Sequence, residues 1–171
     1  MLSKKMQDAL NAQINAEYYS SYLYLSMAAY AEEANLRGFG NWFKVQAQEE
    51  MVHVMKFFEF VVDRKGRVKL GKIEGPPADW DSPLAAFEAT LAHEQHVTSL
   101  INKLVELSLA ENDHATHSFL QWFINEQVEE EASADQLVQQ LKLADNAPAA
   151  LFLLDRELGA RVFTAPGGAK A

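Results

Sequence analysis

The sequence predicts an all-α protein: a four-helix bundle with one long crossover connection and a short fifth helix towards its C-terminal end. Three observations carry that expectation. The chain has 171 residues but only eight Gly and five Pro. These breakers cluster, leaving residues 4–34, 41–65, 84–147 and 149–158 free of both. The uninterrupted stretches are rich in Ala, Leu, Glu and Gln, which hold helix well. Within them apolar residues recur at steps of three and four, the mark of a helix with one buried face.

The breaks fix the elements in order. The first long helix spans roughly residues 4–34 and stops at Asn35-Leu36-Arg37-Gly38. The second, roughly 39–65, stops at Gly66 behind Arg64-Lys65. The third opens at Ser82-Pro83, with Ser as N-cap and Pro in the first turn, and runs to about 111. The polar run Glu111-Asn112-Asp113-His114 then breaks the longest stretch, with Asp113 as the N-cap of a fourth helix over roughly 114–143. Asn146-Ala147-Pro148 opens a fifth helix at 148–158 that Gly159 closes. Residues 1–163 form one domain, and 164–171, with Pro166-Gly167-Gly168, form a frayed tail. Each long helix is about 40 Å long at 1.5 Å per residue. Tight turns make helices one and two antiparallel neighbours, and likewise three and four. The roughly 15 non-helical residues between the second and third can reach about 50 Å, the length of the bundle, so those two helices can run parallel.

Composition narrows the function. With 24 acidic and 15 basic side chains, the formal charge is −9. That balance argues against a nucleic-acid footprint or a polybasic membrane anchor, and it attracts cations. The absence of cysteine excludes disulfides, thiolate zinc sites and Cys-held iron–sulfur clusters. Met-Leu-Ser-Lys-Lys leads into polar sequence rather than a signal-peptide core, and no apolar run approaches a membrane span, so a cytoplasmic location is expected.

The buried stripes carry the chemistry. They read Leu10, Ile14, Glu17, Ser21, Tyr24, Ala28 in the first helix and Phe39, Phe43, Gln46, Glu50, His53, Phe57, Val61 in the second. In the third and fourth they read Leu84, Phe87, Leu91, Glu94, Thr98, Ile101, Val105 and Leu120, Phe123, Gln127, Glu130, Ala134, Leu137, Leu141. Each apolar stripe is interrupted near its middle, and each interruption contains a Glu. At one height in the bundle Glu17, Glu50, Glu94 and Glu130 meet. A lone buried carboxylate is costly unless paired, protonated or metal-bound, and four together repel. No basic residue occupies the stripes at that level, so a multivalent cation is the natural compensation. Oxygen donors with one imidazole suit iron, manganese or zinc. Glu50-x-x-His53 places both groups on one face, and the fourth helix offers Gln127-x-x-Glu130. A single Glu on an apolar stripe is ordinarily an edge residue and a single Glu-x-x-His is weak. Four coincident interruptions are a different matter.

The run Gln13-Ile14-Asn15-Ala16-Glu17-Tyr18-Tyr19-Ser20-Ser21-Tyr22-Leu23-Tyr24-Leu25 resembles the non-haem ferritins of bacteria and archaea. So do Gln48-Glu49-Glu50-Met51-Val52-His53, His93-Glu94 and Phe119-Leu120-Gln121-Trp122-Phe123 through Glu126-Gln127-Val128-Glu129-Glu130-Glu131. The similarity runs over about residues 4–158. It implies a ferritin-like bundle with a ferroxidase centre: one iron at Glu17, Glu50 and His53, a second at Glu50, Glu94 and Glu130, with Glu50 bridging and Gln127 beside the site. It further implies a third iron position at Glu49, Glu126, Glu129 and Glu130, a redox or positioning role for Tyr24, and a homo-oligomeric hollow shell of 24 subunits. The implied activity is oxidation of Fe(II) by dioxygen and storage of ferric oxyhydroxide mineral.

Met51 matches the haem-binding Met of bacterioferritins, but the second Glu-x-x-His of that group is replaced here, so no haem is expected. Trp122 reads as packing, and His93 and His96 as surface residues. The readings that compete are a DNA-protecting mini-ferritin, which places ligands across a subunit interface, a structural ferritin chain, which lacks these ligands, a rubrerythrin-like peroxidase, which needs Cys, and a metal-free helical scaffold.

Overall fold

Residues 2–164 are described by the computed structural model; past Thr164 the expected frayed tail lies outside them. The helices are α1 (Lys4–Glu33), α2 (Arg37–Asp63), α3 (Pro83–Ala110), α4 (His114–Ala144) and α5 (Pro148–Leu158), and no strand occurs among the described residues. The caps explain the boundaries. Ser3 accepts from Met6 N at 2.9 Å, Ser82 from Ala85 N at 3.1 Å and Asp113 from Thr116 N at 3.1 Å.

Three long helices end in one way. Asn35, Lys65 and Asn112 take left-handed φ of 59°, 57° and 54°. Behind each, the next amide bonds the carbonyl five residues back: Leu36 to Ala31, Gly66 to Val61, Asp113 to Ser108. This is the Schellman arrangement. α2 therefore ends at Asp63, and the left-handed position of its stop is taken by Lys65 rather than by Gly66, which follows it. The α1–α2 turn is also shorter than expected, so α2 starts at Arg37 rather than 39.

α2 lacks a side-chain cap of its own. α5 supplies one: Asp155 Oδ1 accepts from Gly38 N at 2.7 Å and Phe39 N at 3.2 Å. The approach is so close that a Cβ on Gly38 would sit 1.6 Å from Asp155 O, which is why glycine stands there.

α4 runs antiparallel to α2, with Glu130 against Gln46 and Thr116 against Arg64. It is antiparallel to α3 as well, with Glu131 against Thr98 and Lys142 against Glu88. Hence α2 and α3 are parallel, and the crossover spans the bundle. It lies along α1, pinned in register: Gln7 Oε1 to Arg67 N, Asn11 to Arg67 and Lys69, Asn15 to Lys72 and Ser26 to Pro77, at 2.6–3.0 Å. Trp80 then packs edge-on against Tyr30.

The stripes of α1, α2 and α4 are buried throughout, as expected. The stripe of α3 is rotated. Its buried face is Phe87, Thr90, Glu94, Val97, Ile101 and Leu104, while Leu84, Leu91, Thr98 and Val105 are half-buried on its flank. Both rows pass near Glu94 at helical spacing, so the sequence did not separate them. The apolar core falls into two clusters, one around Tyr24, Met27, Phe39, Phe43, Phe87 and Leu141, the other around Met6, Leu10, Ile14, Phe57, Ile101, Leu120 and Phe123. No helix among the described residues is long and apolar enough to cross a membrane.

Candidate metal centre

The polar layer lies between the two clusters. α1 contributes Glu17, α2 Glu50 and His53, α3 Glu94, and α4 Gln127 and Glu130, all buried, from 1% exposed for Glu17, His53 and Glu94 to 8% for Glu130. Among the described residues no Lys or Arg pairs with these four carboxylates. His53 is their basic neighbour, its Nδ1 3.2 Å from Glu50 Oε2 and 3.8 Å from Glu17 Oε2.

Amides and a phenol hold the outer oxygens. Gln13 Nε2 donates to Glu17 Oε1 at 2.7 Å, Gln127 Nε2 to Glu94 Oε2 at 3.1 Å, and Gln46 Nε2 to Glu130 Oε2 at 2.7 Å. Tyr24 donates its hydroxyl to Glu94 Oε1. Two polar atoms of the layer stay unsatisfied: Glu17 Oε2, on the side of His53, and His53 Nε2 are buried without a hydrogen-bond partner. Unpartnered buried polar atoms of this kind fit a bound cation better than they fit a resting polar core.

Electrostatics follow the geometry. Burial drives Glu50 well above the usual carboxylate range; His53 opposes the rise while Glu94 and Glu17 add to it. Burial also raises Glu94, against the hydrogen bonds from Tyr24 and Gln127. Glu130 rises to about 8 through burial and the charge of Glu94, with Gln46 opposing. Glu17 goes the other way: burial would raise it, but the nearby His53 and the hydrogen bond from Gln13 outweigh that. Burial would lower His53, yet Glu50 and Glu17 hold it well above an ordinary imidazole. Burial and the carboxylates Glu94 and Glu50 push the Tyr24 hydroxyl up. The layer thus retains protons that a metal would displace.

Two trios present ligand atoms within 4.8 Å of one another: Glu17, Glu50 and His53, and His53, Glu126 and Glu130. Glu94 lies outside both and is reached through Tyr24 and Gln127. The remaining expected positions separate. Glu126 is half-buried and turned to His53 and Glu130. Glu129 is exposed. Glu49 is half-buried and paired with Arg161 at 2.5 Å. His93, expected at the surface, is half-buried instead: its Nε2 lies 2.8 Å from Ser20 Oγ, and burial with His96 nearby lowers its pKa to about 4. His96 is exposed. Trp122 packs edge-on to His53, ring centres 5.4 Å apart. Sequence reasoning did not single out Gln13 or Gln46 as site residues. Both sit four residues before a ligand-position Glu, at Gln13/Glu17 and Gln46/Glu50, and that repeated spacing was the available signal.

A family model described as Ferritin, a ferritin-like domain, matches residues 7–144. The chain belongs to the ferritin family. It is 45% identical over 161 residues to a bacterial non-haem ferritin of Bacteroides fragilis, covering 94% of this chain and 100% of that one. A bacterial non-haem ferritin of Staphylococcus aureus is 39% identical over 163 residues, covering 95% of this ferritin and 98% of its own length. An engineered closed form of the Archaeoglobus fulgidus ferritin superposes with a TM-score of 0.95 at 57% identity, over 96% of this ferritin and 100% of that chain. The open-pore ferritin of that archaeon gives 0.94 at 56% identity, over 95% and 100%. The bundle with a short C-terminal helix is the fold these ferritins share.

Proposed function

We propose that this ferritin is an iron-storage ferroxidase: it oxidises Fe(II) with dioxygen at a di-iron site inside each subunit and deposits ferric oxyhydroxide in a hollow homo-oligomeric shell of 24 copies. The observation that carries the reading is the layer of four buried carboxylates and one imidazole with, among the described residues, no lysine or arginine paired to it, and with two buried polar atoms that lack a partner. Glu17, Glu50 and His53 hold one iron; Glu50, Glu94 and Glu130 hold the other, with Gln127 beside them. Hard anionic oxygens stabilise Fe(III) more than Fe(II), so the donor set favours electron loss. Two Fe(II) ions give one electron each to dioxygen. Tyr24 positions Glu94 through its hydrogen bond, a role its buried, high-pKa hydroxyl suits better than proton transfer.

Storage requires a shell, because a lone bundle encloses no mineral. Exposed apolar side chains support assembly: Tyr22, Leu25, Met51 and Met55 on the α1–α2 pair, Phe152 and Leu153 on α5. Aerobic Fe(II) addition tests the reading. The wild type oxidises many irons per chain; Glu50→Ala and His53→Ala slow the initial rate at least about tenfold, an order-of-magnitude expectation for removing a metal ligand. Oxidation at the wild-type rate in both variants overturns the site. A monomer or dimer by size-exclusion chromatography overturns storage.

A further inference from the structure

We infer that Arg161 is a built-in counter-cation on the rim of the metal centre: it withholds Glu49 from a third metal ion and sets the orientation of Gln46 on Glu130. The inference rests on the proposed metal centre and concerns a residue beyond its ligands.

Arg161 follows α5, outside the helical bundle, yet it reaches the rim. Its Nη2 donates to Glu49 Oε2 at 2.5 Å and to Gln46 Oε1 at 2.9 Å, and its Nη1 donates to Trp42 O at 3.3 Å. The guanidinium lies over the Trp42 ring, 4.6 Å from its centre. The segment that carries it is strapped down, since Asn41 Nδ2 donates to Leu158 O, Gly159 O and Arg161 O at 3.1, 3.5 and 2.9 Å. Asp155 fixes the preceding helix to the start of α2. A side chain held at both backbone and head is positioned rather than incidental.

Two consequences follow from its chemistry. A guanidinium only donates and keeps its proton at every relevant pH. Facing Gln46, it demands the amide oxygen, so the amide nitrogen must turn the other way, towards Glu130 Oε2 at 2.7 Å. One residue therefore fixes the amide orientation of the side chain that holds a ligand-position carboxylate. Facing Glu49, it supplies the charge that a metal ion would supply. Glu126 and Glu130 already converge with His53, while Glu49 points to Arg161. A third ion gains Glu49 only by displacing a cation that is a quarter exposed and paired with a carboxylate 16% exposed, a contact well shielded from water. Breaking such a charge-assisted bond weakens the third ion about tenfold or more.

The test is calorimetric titration of the assembled apo protein with Zn(II), a redox-inert probe ion. Wild type binds two ions per chain tightly, with a third much weaker. Arg161→Gln tightens the third about tenfold or more, and Glu49→Gln in that background returns it to the wild-type value. Arg161→Lys, which keeps charge but loses the fork, lies between. Asn41→Ala, which frees the strap while leaving Arg161 in place, moves the third ion in the same direction and covers the case in which Arg161→Gln fails to fold. A third ion bound equally by wild type and the variants overturns the inference and leaves the two-ion centre standing. So does a lower melting temperature in Arg161→Gln with no gain in the third ion. If the wild type binds no Zn(II), or Glu50→Ala and His53→Ala bind as it does, the proposed metal centre fails first.

Discussion

Glu130 makes the apo protein lose stability as pH rises. Its carboxyl titrates near 8 in the folded chain against 4.5 when unfolded, because burial and Glu94 penalise its charge. The folded state therefore binds the proton more tightly, and between these values it carries a proton the unfolded chain has lost. Stability is fully present below 4.5 and is lost as pH climbs through about 8. Over the whole interval the loss from this group is about 5 kcal/mol, and from pH 5.5 to 8 it is about 3 kcal/mol. Glu50 and Glu94, also raised by burial, bend the curve the same way. His53, raised overall by Glu50 and Glu17 against its burial, adds to the loss above 6.5. Glu17, lowered in spite of burial by the nearby His53 and the hydrogen bond from Gln13, acts in reverse and costs stability only as pH falls below 4.5.

The assay is guanidinium unfolding of metal-free protein at pH 5.5 and 8, at one chain concentration so that assembly contributes equally. Wild type loses stability across the interval. Glu130→Gln, which keeps the shape and cannot ionise, loses about 3 kcal/mol less. Saturating Zn(II) at pH 8 restores the wild type, since the ion takes the place of the proton. Parallel stability curves for wild type and Glu130→Gln refute the reasoning, because the carboxyl would then not be charged at a cost in the fold.

Other perturbations test other links. Gly38→Ala drives a Cβ into Asp155 O, so α5 must move; limited proteolysis then cuts after residue 147 far faster than in wild type. Asp155→Ala removes the donated cap of α2 and lowers unfolding free energy by about 1 kcal/mol in the same guanidinium assay. Phe123→Ala, at the junction of the His53 contact and the cluster around Phe57 and Leu120, costs about 3–5 kcal/mol by the same measure. Tyr24→Phe leaves the melting temperature within a few degrees but slows stopped-flow Fe(II) oxidation several-fold, because Glu94 loses a hydrogen bond.

Much of this was legible in the chain. Ser82-Pro83 and Asp113 announced their helices because capping is local chemistry. The interruptions at Glu17, Glu50, Glu94 and Glu130 announced one layer because helical spacing is rigid enough to project a buried face from a string. The α3 flank was illegible for the complementary reason: two rows of apolar residues share Glu94, and only packing chooses between them. The ends of these helices were legible to within two residues, but the left-handed residue was not: Asn35, Lys65 and Asn112 accept a positive φ that their neighbours' hydrogen bonds impose. Arg161 was invisible. It acts on Glu49 across a separation of 112 residues, and no local pattern encodes such a contact.

The division of the core into two clusters answers the energetic question the layer raises. Four carboxylates buried at one level destabilise an empty bundle, and His53, the amide hydrogen bonds and the retained protons offset only part of that. Apolar burial on either side must do the rest, and it is concentrated there: Phe39, Phe43 and Phe87 pack ring against ring on one side of the layer, and Phe57 and Phe123 stack on the other. At about 1.5–3 kcal/mol for each large side chain fully buried, a few such rings outweigh the cost of one buried charge. The fold can then hold its donors open and under-satisfied, as Glu17 Oε2 and His53 Nε2 are, because its stability is supplied elsewhere. Filling the layer with Leu would produce a steadier bundle and remove every atom that could meet a cation.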